Sequence, residues 1–140
     1  MLKQILSLTG KPGLFKIVSH GSRMLLVEDL ITGKRFPAHS RDKILSLGDI
    51  AMYTENGDTP LGEILDKVYA YQEGKAVDVK NLEAEKRFHD VFGDIVPDYD
   101  KDRVYASDIK KLFSWYNILI EAGFTVFTTD EEKTEEEKAD

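Results

Sequence analysis

Three aspartates alternate in one acidic segment of the chain, at Asp98, Asp100 and Asp102. Carboxylates at this spacing supply the first three ligands of an EF-hand calcium loop. Such a loop needs a glycine at its sixth position and a bidentate glutamate at its twelfth, where this chain has Arg103 and Ile109. Because both positions are wrong, we expect no metal here. The segment is predicted to be a charge-compensated surface turn that leads into a helix.

The other residues that could do chemistry form no known catalytic motif. His20, His39 and His89 are far apart, and none has the spacing of metal ligands. The glycine-rich segment 9–13 lacks the glycine and lysine order of a phosphate-binding loop and is typical of a turn that enters a strand. The sequence therefore predicts no catalytic residue, no enzyme activity and no cofactor. The alternative is a site built from scattered Ser, His and Asp residues, which only geometry reveals.

A basic and partly aromatic group of residues occupies the first third of the chain. Lys and Arg bind phosphates, and an exposed aromatic ring stacks on unpaired bases. The candidate nucleic-acid-binding residues are Lys11, Lys16, Arg23, Lys34, Arg35, Phe36, His39, Arg41 and Lys43. The alternative is a solvated charged face with Phe36 in the core. The residues alone favour this alternative, because a basic group is a weak signal without a fold that concentrates it.

The net charge of −7 is unevenly distributed. Residues 1–54 carry eight Lys or Arg against four Asp or Glu, whereas residues 55–127 carry nine against fifteen. Residues 128–140 carry two against seven and have almost no apolar side chain, so we predict a solvated, disordered tail. The overall acidity argues against a nucleic-acid partner, and the basic first third favours one.

The composition limits the class of protein. With 140 residues, 41% of them hydrophobic, the chain can form one domain or two very small ones that share a core. It has no cysteine, which excludes disulfides and thiolate chemistry and is consistent with a reducing cytoplasm. No stretch is typical of a signal peptide or long enough to span a bilayer. We therefore expect a soluble cytoplasmic protein that does not bind membranes.

The first part of the chain is predicted to be mostly strand. The spacing of Leu2, Ile5 and Leu6 predicts a short N-terminal helix. Strands are predicted at 14–19, 24–30, 34–38 and 50–54, with a helical turn at 41–45. Because Pro37 cannot donate a ladder hydrogen bond, its strand should lie at an edge. Closely joined short strands favour a small, strongly bent antiparallel sheet or barrel, with an open meander packed on helices as the alternative.

Three helices are predicted in the second part. The first begins at the Thr59–Pro60 cap and ends at Gly74, with Leu61, Ile64, Leu65 and Val68 as its apolar stripe. The segment after Gly74 is predicted to be a weakly ordered connector and the best domain boundary. The second helix is predicted at 81–92, with Leu82, Phe88, Val91 and Phe92 buried.

The third helix is predicted from a cap at Ser107 to a stop at Gly123. Its apolar stripe consists of Ile109, Leu112, Phe113, Tyr116, Leu119 and Ile120. Because Trp115 and Ile118 lie off this stripe, we expect the helix to contact protein on more than one face. That protein is either the β-part of the same chain or a second subunit.

Several phrases of the sequence resemble a family of small uncharacterised bacterial proteins. The most specific are GKRFP and YDKDRVYASDIKK, and the similarity extends through ILSLTGKPGLFKIVS and the acidic tail. That family has an N-terminal Sm-like (SH3-type) barrel and a helical C-terminal region. The resemblance implies an α+β fold, which we divide into a barrel at 1–57, a helical domain at 58–127 and a disordered tail at 128–140. It implies an RNA-binding role only by fold-level analogy.

The leading hypothesis from the sequence is a non-enzymatic binding module that binds RNA through the basic face of the barrel. No base-contacting motif of the known Sm-like RNA-binding proteins occurs here, so the basic residues named above come from charge alone. Barrels of this type also bind peptides and methylated side chains. The alternative is a protein–protein adaptor or a self-assembling module that acts through the C-terminal helices.

Overall fold

A five-stranded antiparallel sheet is formed by the first part of the chain. The computed structural model describes residues 4–8, 13–39, 43–125 and 127. The strands of this sheet are β1 (Ile5–Leu8), β2 (Phe15–His20), β3 (Met24–Asp29), β4 (Arg35–His39) and β5 (Ile44–Ser46). Their order in the sheet is β4-β3-β2-β1-β5. As Pro37 predicted, β4 is an edge strand.

A single turn of 3-10 helix, Leu47–Asp49, connects the sheet to the second part. A two-stranded sheet follows, made of β6 (Ala51–Thr54) and β7 (Gly57–Pro60). The helices are α1 (Leu61–Gln72), α2 (Val79–Glu85), α3 (Phe88–Ile95) and α4 (Ala106–Glu121). The predicted α+β class is therefore confirmed, and the second part has four helices where the sequence predicted three.

The five-stranded sheet buries one of its own faces. Alternate residues along the strands, such as Leu6, Phe15, Val27 and Ala38, form an apolar cluster, and all of its described members belong to the five strands. A sheet that covers its own face in this way must bend strongly. The described strands do not close into a barrel, however, because β4 and β5 at the two edges are not paired. β5 is only three residues long and runs directly into the 3-10 turn, which leaves little strand to pair with β4.

Two short helical segments predicted in the first part are wrong over residues 5–8 and 44–45, while residues 1–3 of the first segment lie outside the described residues. Residues 5–8 form β1, since Ile5 is buried in the main core and Leu6 and Leu8 in the sheet cluster, which is the alternation of a strand. The predicted turn at 41–45 is partly outside the described residues, and its last two residues, Ile44 and Leu45, belong to β5. The helical turn forms later, at Leu47.

The predicted first helix is confirmed, and the predicted second helix is two helices. α1 buries Leu61, Ile64, Leu65 and Val68, although it begins one residue after the predicted start, with Pro60 as its N-cap. The predicted helix at 81–92 is interrupted at Lys86, which has the left-handed backbone conformation (φ 56°) and caps α2. The break lets α3 turn independently, so that it buries Phe88, Val91, Phe92 and Ile95 on one face.

The predicted third helix is confirmed as α4, with a different cap. Tyr105 is the N-cap residue in place of Ser107, and a carboxylate oxygen of Asp108 accepts a hydrogen bond from the Tyr105 N–H at 3.0 Å. The stripe predicted on this helix is buried from Ile109 to Leu119, and Gly123 (φ 98°) follows its end. The negative charge of Asp108 also lies where the helix dipole favours it.

The main core contains side chains from both parts of the chain. Ile5 of β1 and Leu14, which directly precedes β2, pack in one cluster with α1, α3 and α4. The segment after Gly74, predicted to be weakly ordered, is fixed to α4. The Tyr116 hydroxyl donates a hydrogen bond to the Lys75 carbonyl at 2.9 Å. The Asn117 side chain accepts from the Val77 N–H and donates to the Val77 carbonyl, each at 2.8 Å.

Replacing Asn117 by Ala should leave the N–H and C=O of the buried Val77 without these partners. We expect the free energy of unfolding to fall by roughly 2–4 kcal/mol, because each unsatisfied buried group costs about 1–3 kcal/mol. Urea denaturation measures this change. Ser114→Ala, on the preceding turn of α4, is the control and should change it by less than roughly 0.5 kcal/mol. Equal losses in the two variants would contradict the anchoring role of Asn117.

The stability should also fall at alkaline pH, because burial, and then the neighbouring Tyr69, raise the pKa of the Tyr116 hydroxyl above its usual value. The folded state therefore disfavours the tyrosinate. This contribution is complete below about pH 10, the pKa of an unfolded tyrosine, and is lost as the pH rises through the raised pKa. Melting temperatures between pH 7 and 11 should decline less steeply for Tyr116→Phe than for the wild type. Parallel curves would refute this assignment.

Candidate functional site

The structure separates the predicted nucleic-acid-binding residues. Lys11 and Arg41 lie outside the described residues. Arg23 lies in the turn between β2 and β3, and Lys34 in the turn between β3 and β4, so they are at opposite ends of a six-residue strand. Such a strand is roughly 20 Å long. Lys43 precedes β5, at the edge of the sheet away from β4, which carries Arg35 and His39. Those of the predicted residues that the structure describes therefore do not form one compact basic patch.

Two of the predicted cations bind a carboxylate of the same sheet. Lys16, Glu28 and Arg35 lie opposite one another on β2, β3 and β4. The Lys16 ammonium is 3.1 Å from one Glu28 carboxylate oxygen, and the Arg35 Nε is 2.9 Å from the other. The Arg35 hydrogen bond, and then that of Lys16, lower the pKa of Glu28, whose side chain is only 17% exposed. A phosphate would have to compete with this carboxylate for both cations.

The Phe36 ring packs within the sheet cluster. It is half-buried and meets the Phe15 ring edge-on, with 5.2 Å between the ring centroids. Phe36 is thus partly buried against the sheet cluster, close to the core position that the alternative interpretation of the sequence gives it. Stacking on bases needs an exposed ring face, and this contact covers part of the ring. The RNA-binding role itself stays a prediction.

An apolar hollow lies between the β-part of the chain and α4, and we call it the α4 groove. Its volume is about 250 Å³. Leu61 and Leu112, both buried, form its floor, and its walls include Leu45 of β5, Tyr53 of β6 and Trp115 of α4. Leu45 is 51% exposed and Tyr53 is 44% exposed, so two large apolar side chains face solvent beside a half-buried tryptophan.

The position of the α4 groove follows from the sequence of α4. Asp108, Lys111, Leu112 and Trp115 have the i, i+3, i+4, i+7 spacing of one helix face, and all four line the groove. Ile118 lies on another side and lines a shallow hollow with residues of α2. The helix therefore contacts protein on more than one face, as its two off-stripe residues predicted. The groove itself was not predicted from the sequence, in which Trp115 is its only signal.

The rim of the α4 groove is basic. Arg103 lies over the Tyr53 ring, with 5.2 Å from its guanidinium carbon to the ring centroid, and its Nε is 3.6 Å from an Asp100 carboxylate oxygen. Lys111 is exposed and has no acidic partner among the residues that the structure describes. Asp108, the carboxylate in the groove, is already hydrogen-bonded to a backbone N–H.

The acidic segment before α4 is a compact turn. An oxygen of the Asp100 carboxylate accepts from the Asp102 N–H at 3.0 Å, and Asp98 accepts from the Asn56 side chain at 2.8 Å. Within the described ranges, no group of three or more His, Asp or Glu side chains is placed to hold a metal ion.

The hydroxyl of the buried Tyr99 contacts His89. The Tyr99 hydroxyl oxygen is 2.9 Å from the His89 Nδ1, at one side of an open hollow that also contains Asp90 and Asp94. Burial, and then the charge of Asp90, raise the pKa of Tyr99. A buried hydroxyl needs a hydrogen-bond partner, and this need is sufficient to explain why Tyr99 and His89 are in contact.

None of the described helices is long and apolar enough to cross a membrane.

Two family models match the chain. Residues 2–47 match the model described as Domain of unknown function (DUF5606), and residues 50–119 match the model described as Domain of unknown function (DUF6852). The chain belongs to the family that combines these two domains. A solution NMR structure from Bacteroides vulgatus, a structural-genomics target, is 48% identical, with 91% of each chain covered and a TM-score of 0.76. The resemblance to an uncharacterised bacterial family is thereby confirmed. No curated protein matches the chain significantly.

Replacing Glu28 by Gln should reduce the loss of stability in acid. Its lowered pKa gives a contribution that is complete above the unfolded pKa of about 4.3 and is lost as the pH falls through the folded pKa. Melting temperatures from pH 2.5 to 7 should therefore decline less steeply for Glu28→Gln than for the wild type. Part of the decline should stay, because N–H groups of Thr32 and Ile31 lower the pKa of Asp29.

The control for this prediction is Glu55→Gln, at an exposed glutamate in the turn between β6 and β7. It should leave the acid decline of the wild type unchanged. If Glu28→Gln and Glu55→Gln gave the same curve, the ion pairs of Glu28 would have no role in acid stability.

Proposed function

We propose that this protein is a non-enzymatic binding module that binds a partner protein in the α4 groove. The observation that carries the proposal is the exposed pair Leu45 and Tyr53 beside Trp115. Contiguous exposed apolar side chains on a small protein mark interaction sites. Trp, Tyr and Arg are also the residues that most often dominate binding energy at protein interfaces, and all three are present here.

The dimensions of the α4 groove favour a protein ligand over a small molecule. Sites that enclose small ligands have volumes of roughly 300–1,000 Å³. At about 250 Å³, the α4 groove is smaller. It has room for one or two side chains of an incoming polypeptide, with the rest of the contact made by the rim.

The geometry supports a nucleic-acid ligand less well. A phosphate-binding face needs Lys and Arg side chains that are available and close together. Lys16 and Arg35 instead share Glu28, and Arg23 and Lys34 lie at opposite ends of β3. The RNA-binding and cytoplasmic predictions of the sequence stay predictions, and RNA is a separate outcome of the test below.

We also propose that the five-stranded sheet is an Sm-like (SH3-type) barrel left open between β4 and β5. Phe36 and Ala38 of β4 and Ile44 of β5 belong to the same apolar cluster, so the two edges share one interior. A shared interior is what a barrel requires before its last pair of strands joins. SH3-type barrels bind peptides as well as RNA, which is compatible with the proposed function.

The proposal predicts that peptides selected against the protein bind in the α4 groove. A displayed library of random twelve-residue peptides is the probe. The single tryptophan of the chain, Trp115, reports binding through its fluorescence. Leu45→Asp should weaken the selected peptides roughly 10- to 30-fold, as expected for a hot-spot residue worth about 1.4–2 kcal/mol. Ile31→Asp is the matched control, because Ile31 is 45% exposed in a turn away from the groove, and it should have no effect.

Several results would contradict the proposal. One is a library that yields no binder, and another is a set of binders that Leu45→Asp and Ile31→Asp affect equally. Salt-sensitive binding of a mixed-sequence RNA pool, lost on replacing Arg23 and Lys34 by Ser, would assign the protein to nucleic acid. A dimer in light scattering that Leu45→Asp dissociates would mean that a second copy of the chain occupies the groove.

A further inference from the structure

We infer that the ligand of the α4 groove is an acidic segment of a partner protein. A bulky apolar side chain of this segment enters the groove, and a carboxylate next to it binds Arg103 and Lys111. The inference rests on the proposed function and adds the chemistry of the ligand to it.

Arg103 has hydrogen-bonding capacity left for such a carboxylate. Its side chain is 66% exposed, and its contact with Asp100 is 3.6 Å, longer than the 2.7–2.9 Å that is typical of a charge-assisted hydrogen bond. A guanidinium has five N–H donors, and the cation–π contact with Tyr53 uses its face and leaves its edge available. The arginine is thus held at the wall of the groove while its donors still point to solvent.

Lys111, like Arg103, is available to bind a carboxylate, and in this it differs from its neighbour Lys110. Lys110 forms an ion pair with Glu83 of α2. Lys111 lines the groove and, in the part of the chain that the structure describes, has no carboxylate within ion-pair distance. The acidic side chain that lines the groove with it, Asp108, accepts a hydrogen bond from the Tyr105 N–H. Two adjacent lysines on α4 therefore have different roles, one within the fold and one at the rim of the groove.

The basic rim stands out against the charge of its surroundings. Residues 55–127 carry nine Lys or Arg against fifteen Asp or Glu, and the whole chain has a net charge of −7. In an acidic region, two cations that are not fully paired beside an apolar groove form a local site for a negative group. Charge complementarity of this kind raises the rate of association and excludes basic partners.

Two other occupants fit the groove less well. The tail of this chain, residues 128–140, supplies seven carboxylates, but its only apolar side chain is Ala139, which is too small to fill the groove. A second copy of the chain carries the same net charge of −7, and a net charge far from zero opposes self-association. A partner segment that has both a bulky apolar side chain and a carboxylate can contact the apolar floor and the basic rim of the groove together.

The same random peptide library tests the inference by a charge swap. One selection uses the wild-type protein, and the other uses the double variant Arg103→Glu, Lys111→Glu. We expect Asp or Glu beside an apolar residue in the first set of peptides, and Lys or Arg at the same place in the second. When the acidic residue of a wild-type binder is replaced by Gln, the peptide should bind about tenfold more weakly. The affinity of the original, acidic peptide should fall with added salt.

Controls separate this inference from the proposed function. Lys110→Gln should keep the acidic preference of the wild type, because Lys110 does not line the groove. If the double variant fails to fold by circular dichroism, the milder pair Arg103→Gln and Lys111→Gln should reduce the acidic preference in its place. Groove-dependent peptides with no charge preference would overturn the inference and leave the proposed function standing. If no peptide depends on Leu45, both fail.

A last variant, made in the full chain, tests the tail as occupant. Replacing Glu135, Glu136 and Glu137 by Gln should change the affinity of the acidic peptides less than about threefold. An increase of more than about tenfold would assign the basic rim to the tail of this chain and would overturn the inference of an external partner.

Discussion

The burial of α4 is the constraint on which the rest of the structure depends. This helix packs against α1, α2 and α3 and, through its other flank, beside the two-stranded sheet. Its stripe from Ile109 to Leu119 is buried, and Tyr116 and Asn117 also fix the segment before α2 by hydrogen bonds. The flank of α4 that carries Lys111 and Trp115 is covered only in part, because Trp115 is half-buried and Lys111 is exposed. The α4 groove is the flank that stays open.

The five-stranded sheet is stabilised differently, because none of the described helices contributes a side chain to the cluster on its own face. It bends around that cluster and leaves its other face to carry charge. There the row formed by Lys16, Glu28 and Arg35 compensates itself. Part of the positive charge that the sequence shows in this region therefore pairs with a carboxylate of the sheet itself.

The sequence predicted those features that depend on local pattern. The α4 stripe and the edge position of Pro37 are of this kind, because helical periodicity and the missing N–H of proline act within a few residues. It did not predict β1, since the spacing of Ile5 and Leu6 fits a helix and a strand equally well. It did not predict the left-handed conformation of Lys86 either, because lysine rarely adopts this conformation. The α4 groove joins Leu45 and Trp115, which are distant in sequence, so only the folded chain brings them together.

The open sheet has a consequence for the behaviour of the protein in concentrated solution. Unpaired strand edges usually invite other chains to add to them and so to aggregate. At one edge, Pro37 interrupts the row of donors on β4, and Arg35 beside it adds charge. At the other edge, β5 offers only three residues. Both edges are thus poor templates for amyloid-like stacking, so the sheet can stay unclosed without a penalty in colloidal stability.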